Sequence, residues 1–240
     1  IGRYSAHAAI FVLALLVGLS LALFLRSSLA SRASTTEAAE DAPRLVQSVG
    51  RLLGNPTTTL LLAYVGLTYG MAILFLFTLP LTLAAGGGDT LRSAWALGAF
   101  WACFTLTGVV QSTVIDGRYA RVLLTASPLA MLAGFALFLY GGLPATQIAG
   151  AAITGIGFAL GNATSTMLIL RHAPPGTSAT AASLDITFAR LGSVATVALL
   201  AALPAAGLLA GVVAIGVSAA VMASFVRRMP VTVPAPRETP

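Results

Sequence analysis

The 49 residues between Arg121 and Arg171 include no charged side chain, and that run fixes what kind of chain this is. Shorter uncharged runs accompany it: 37 residues between Arg51 and Asp89, 23 between Arg92 and Asp116, and 36 between Arg190 and Arg227. About 20 apolar residues suffice for a helix to cross about 30 Å of hydrocarbon. The longest run therefore holds two crossings, divided at Gly141-Gly142-Leu143-Pro144. The run of 36 divides at Pro204 to Gly207, so its first helix must begin before Arg190, near Ser178. With the stretch before Arg26, seven spans result: about 8–25, 58–84, 93–115, 122–141, 146–170, 178–203 and 206–226. The expected fold class is an all-α integral membrane protein with seven transmembrane helices.

Composition closes off the main alternatives. Only 8% of the 240 residues are charged and 58% are hydrophobic, whereas soluble domains carry about 25% charged residues. A soluble enzyme and a disordered chain are both excluded. All thirteen basic residues are arginine, so no lysine amine exists for Schiff-base chemistry, a retinal-binding protein included. A single cysteine, Cys103, excludes an internal disulfide and any cysteine-rich metal or iron–sulfur site. Phosphate loops, paired histidines and Gly-x-Ser-x-Gly are absent, and His7 and His172 lie at span ends. No cofactor, metal or catalytic residue is expected.

The net charge of +6 reads as topology, with the lipid bilayer as partner and nucleic acid not. In membrane proteins the basic residues gather in cytoplasmic loops. Alternate loops and the C-terminal tail hold Arg26, Arg32, Arg44, Arg51, Arg118, Arg121, Arg171, Arg227, Arg228 and Arg237, against Arg3 and Arg92 on the other side. Residues 27–57, rich in Ser, Thr and Ala and carrying Glu37, Glu40 and Asp41, form the one long hydrophilic stretch. This segment is expected to be a cytoplasmic linker between a first span (1–26) and a six-helix bundle (58–228), followed by a cytoplasmic tail (229–240). Residue 1 is placed outside. A cleaved signal peptide is the rival reading of the first span, but its arginines follow the apolar run instead of preceding it. The chain opens at Ile1, without an initiator methionine and directly in a helix, and is read as a piece of a longer one.

Three local motifs then carry a resemblance. Asp116-Gly117-Arg118-Tyr119-Ala120-Arg121 sits in the short loop between the third and fourth spans, an acid followed by clustered arginines. Ala189-Arg190-Leu191-Gly192 lies in the sixth span, and Gly155-Ile156-Gly157-Phe158-Ala159-Leu160-Gly161 in the fifth. With one helix, a linker of about thirty residues and six closely spaced helices, the whole chain resembles the C-terminal half of a major facilitator superfamily transporter, helices six to twelve. The loop motif looks like the weaker copy of that family's cytoplasmic motif, with alanine where a second glycine is usual and one residue fewer. The resemblance implies one six-helix half of the family fold and a missing N-terminal half. It also implies alternating access for a small-molecule substrate across the cell (inner) membrane, in the manner of proton-coupled drug or metabolite efflux antiporters. The alternatives are a stand-alone seven-helix receptor or assembly factor without transport activity, and an intramembrane enzyme. For the last, only Asp185 and Arg190 could do chemistry.

Those two are the only charged side chains inside a span. At 1.5 Å per residue from Ser178, Asp185 lies about 10 Å deep and Arg190 about 18 Å deep. Each costs about 2.5–3.5 kcal/mol at the bilayer centre unless paired or hydrated. Five residues apart is about 140° around a helix, so each needs its own partner. Thr180, Ser183, Thr187 and Arg190 recur at spacings of three, four and three and form one polar stripe, expected to line a wet cavity. Asp185 falls on the other side with Ser178, Gly192 and Thr196, where packing is the expectation. Further cavity candidates are Tyr64 and Thr68 on one face of the second span, Gln111 in the third, and Asn162 in the fifth. Asn162 shares its face with Thr154, Phe158 and Ser165. For these, a bond to a neighbouring helix is the competing role. Gly157-x-x-x-Gly161 and Gly207-x-x-x-Gly211 should permit close helix approach, and Pro80 is either a gate hinge or a passive kink.

Overall fold

The computed structural model describes residues 45–87, 90–114, 119–200 and 205–228. By its contacts the chain divides into two units, 1–44 and 45–240, and every described residue belongs to the second. The expected first span, the linker as far as residue 44, Asp116, Arg118 and the tail after 228 lie outside the described residues.

Among the described residues seven helices follow in order: α1 (Leu45–Leu53), α2 (Pro56–Ala85), α3 (Thr90–Val114), α4 (Ala120–Tyr140), α5 (Pro144–His172), α6 (Ser178–Leu200) and α7 (Ala205–Arg228). Six of them match the last six spans expected from the charge spacing, to within a few residues. Of these, α2 to α6 are long and apolar enough to cross a membrane, while α7 carries a shorter apolar run, Ala210–Val226. The described residues contain no strand. Within the second unit the chain is a multi-pass helical bundle.

The helix ends are written locally. Asn55 caps α2, its side-chain oxygen accepting from Thr57 N at 3.0 Å, and Pro56 takes the first-turn position where its missing N–H costs nothing. At the far end Gly86 N donates to Thr82 O at 3.1 Å, and Gly87 turns the chain at φ +72°. Gly176, at φ +79°, does the same in Pro174-Pro175-Gly176 before α6. Only glycine adopts that backbone without strain. Pro144 opens α5, and Arg171 and His172 occupy its last turn, where positive charge suits the helix dipole.

The interior of the expected linker holds a surprise. Residues 45–53 form α1, which packs on α2 and α6 and buries Leu52 and Ser48. Nine residues are too few to announce themselves by hydropathy inside a polar stretch. Pro80 leaves α2 continuous.

Glycines set the spacing of the bundle. A Cβ on Gly192 of α6 would run into the backbone of Gly66 on α2, so the two chains cross main chain to main chain. Gly157 of α5 meets the backbone of Ser127 and Met131 on α4 in the same manner, and Gly161 meets the side chains of Ser127 and Tyr64, close approaches of the kind the spacing of four predicts. Gly211 faces the side chain of Leu200 instead of a backbone. Around these crossings lie two apolar clusters. One gathers Leu61, Leu62, Leu124, Ile169 and Ala189. The other is aromatic: Phe75 stacks on Phe100 at 5.8 Å and meets Phe135 and Phe138 edge-on at 5.3 and 5.2 Å.

Candidate functional site

The two faces of α6 divide as helical geometry requires. Ala181, Asp185, Ala189, Ser193 and Thr196 form its buried stripe. Ser183, Thr187 and Arg190 are exposed on the other side, with Thr180 partly covered. Thr187 Oγ1 donates to Ser183 O of its own helix at 2.8 Å. Arg190 lines a cleft of about 470 Å³ with Ile73 of α2 and Ser193, Val194, Val197 and Ala198 of α6.

Asp185 is met by α5. Thr166 Oγ1 donates to Asp185 Oδ2 at 2.6 Å, while Oδ1 is buried and has no hydrogen-bond partner among the described residues. One turn before Thr166, Asn162 Oδ1 accepts from the Tyr69 hydroxyl of α2 at 2.8 Å. The Tyr69 ring stands edge-on to Phe158 at 4.9 Å, and Tyr69 lies within electrostatic range of both Asp185 and Arg190. Asn162 and Thr166 also border an open cleft of about 620 Å³ with Ala163, Met167, Leu170 and Arg171. Three helices thus bring one phenol, one amide, one hydroxyl and one acid together, while the Arg190 guanidinium belongs to the opposite, exposed face of α6.

The remaining sequence candidates lie elsewhere. Tyr64 is fully buried and its hydroxyl donates to Leu124 O of α4 at 2.8 Å. Thr68, on the same face, donates to Tyr64 O and Val65 O of its own helix. Gln111 clamps α3 to α5, its Nε2 donating to Thr164 Oγ1 at 2.7 Å and to Leu160 O at 3.2 Å. Thr154 and Ser165 are buried and bond back to Gly150 O and Asn162 O. Arg121 is the second residue of α4, beyond a loop outside the described residues. Of these, Tyr64 and Gln111 tie neighbouring helices together, while Thr68, Thr154 and Ser165 bond back within their own helices. Tyr64→Phe should lower the thermal stability by about 1 kcal/mol for the lost hydrogen bond and leave transport kinetics unchanged. Thermal melts and initial rates on the same preparation check both halves of that statement.

Two members of the cluster, Tyr69 and Thr166, were not among the sequence candidates. Thr166 was within reach: it continues the Phe158–Asn162 spacing of four by one more turn. Tyr69 gave no such signal, since aromatic side chains are equally at home against lipid and against neighbouring helices.

A family model described as Major Facilitator Superfamily matches residues 1–197. No curated protein matches the chain.

Proposed function

The chain belongs to the major facilitator superfamily, and from that premise we propose that it works as the C-terminal half of a secondary active transporter for a small molecule. That it is a multi-pass membrane transporter follows from the family and from its apolar helices; coupling and direction are inferred here. Two such halves rock about a site at the bilayer midplane. In this half the site is the α2–α5–α6 region: Arg190 shares an exposed polar stripe with Ser183 and Thr187, and Arg190 and Asn162 each border a cleft. The carrying observation is the exposure of Arg190 on a polar stripe deep in an apolar helix. A permanent cation at that depth is tolerated where water, substrate or an acid compensates it.

The arginine offers planar donors to an anionic or strongly polar group of the substrate. The sparse charge and small-residue helices support export of a drug or metabolite in exchange for protons. The linker and the tail face the cytoplasm of a cell (inner) membrane, on the arginine distribution. The Asp116–Arg121 loop belongs to the same cytoplasmic surface.

Proteoliposomes holding the full-length transporter test this directly. With an imposed proton gradient, labelled anionic and zwitterionic amphiphiles should accumulate, and a protonophore should abolish the accumulation. Uptake of the same compounds that ignores the gradient would rule out proton coupling. Absence of saturable uptake across that set would rule out the proposed substrate chemistry.

A further inference from the structure

A proline interrupts α4 where that helix is buried. Pro128 has no N–H, so Leu124 O, four residues earlier, loses the donor that the helix would supply. Among apolar side chains an orphan carbonyl is costly, and in membranes a neighbouring helix is one of the groups that can satisfy it. Here the donor is the Tyr64 hydroxyl of α2, which meets Leu124 O at 2.8 Å. Tyr64 and Leu124 are both fully buried, so bulk water does not reach the place.

The two helices are in register for this exchange. Tyr64 and Pro128 each stand eight residues beyond the start of their helices, about 12 Å in at 1.5 Å per residue. A long helical side chain leans back toward its own N-terminus. That lean carries the phenol one turn nearer the ends of both helices, to Leu124. Gly161 of α5 leaves room for the pair, since a Cβ there would run into the side-chain oxygens of Ser127 and Tyr64.

We propose that Pro128 divides α4 into two bodies and that Tyr64 latches the first of them, residues 120–127, to α2. This arm carries Arg121 in its first turn, at the end of the Asp116–Arg121 motif. One rung between the arm and the rest of α4 is missing at Pro128, and the phenol supplies a rung to α2 in its place. The arm is therefore placed by α2, the helix whose Gly66 lies against Gly192 of α6, and follows that pair instead of the far length of its own helix. Tyr64 is a positioning residue. The latch fixes where the arm rests and does not have to break, so its loss shows as local opening and leaves the transport rate as it was. The inference does not depend on what the transporter carries.

Hydrogen–deuterium exchange on the full-length protein in lipid nanodiscs reads the arm directly. Tyr64→Phe keeps the ring and removes only the hydroxyl. In that variant the amides of residues 124–127 should exchange about 2- to 12-fold faster, the worth of one net hydrogen bond, while those of residues 132–140 keep the wild-type rate. Pro128→Ala returns the missing N–H to Leu124 O. In that background Tyr64→Phe should change exchange at 124–127 by less than about twofold. Pro128→Gly returns the same N–H without a side chain, and should give the same cancellation if alanine disturbs the packing. Wild-type exchange throughout the arm of Tyr64→Phe would overturn the latch. An equal rise along the whole of α4 would mean general loosening of the bundle and overturn the division at Pro128. The same rise with and without the proline would show that the phenol replaces no missing bond.

Discussion

Replacing Gly192 with valine should leave almost no folded protein. The Cβ of any larger residue there enters the backbone of Gly66, and a main chain cannot turn aside as a side chain can. Helices α2 and α6 would have to separate along the contact that seats Asp185, Ala189 and Ser193 in the interior. Overpacking a core costs about 1–3 kcal/mol where side chains can adjust, so a clash of backbone with Cβ should exceed about 3 kcal/mol. Gly98→Ala is the matched control. Gly98 lies within α3 with open space at its Cβ position, and alanine there should hold or raise stability by up to about 1 kcal/mol. Fluorescence-detected size exclusion and thermal melts in detergent separate the two. A monodisperse Gly192→Val protein melting at the wild-type temperature would mean that α2 and α6 do not cross here as closely as described.

Arg190→Ala should have the opposite signature, with transport lost and the fold intact. The guanidinium is exposed on the bundle surface, so its removal opens no cavity in the packed interior. Hydrogen bonds to a charged group are worth about 1.5–3 kcal/mol, and loss of such bonds to a substrate anion lowers transport efficiency about 10- to 100-fold. Arg190→Lys keeps the charge and loses the planar fork, so it should keep part of the activity. If Arg190 instead compensates a carboxylate buried elsewhere in the transporter, alanine leaves that acid uncompensated and the folded yield drops. Rates and melting temperatures on one set of variants decide between these outcomes. Normal transport by Arg190→Ala would remove Arg190 from the substrate site.

The sequence announces its crossings because the hydrocarbon sets their length and charge enters it only at a cost. Six of the seven expected spans fall within the described residues, and each is a helix. The partition of α6 was equally legible: 100° per residue puts Arg190 with Ser183 and Thr187, and Asp185 on the other side, whatever surrounds the helix. What periodicity cannot say is which neighbour a face will meet. Tyr64 and Thr68 are both buried inside the bundle, Tyr64 against α4, a placement the sequence could not choose because lipid and helix interior are both apolar and ask for the same side chains. Asp185 was expected to serve packing. It is indeed buried, yet its partner Thr166 stands nineteen residues earlier on another helix, a pairing no spacing within α6 could disclose.

The Gly66–Gly192 crossing has one more consequence. Where helices interlock by side chains, rotating one past the other means lifting knobs out of holes, and the pair resists. Here two bare main chains meet at Gly66 and Gly192, and one turn along the Thr196 side chain seats against Gly70 of α2. The crossing is therefore keyed as well as tight. Helix α6 cannot slide or turn against α2 without lifting Thr196 from its seat, so the two helices are expected to travel as one body when the transporter rocks.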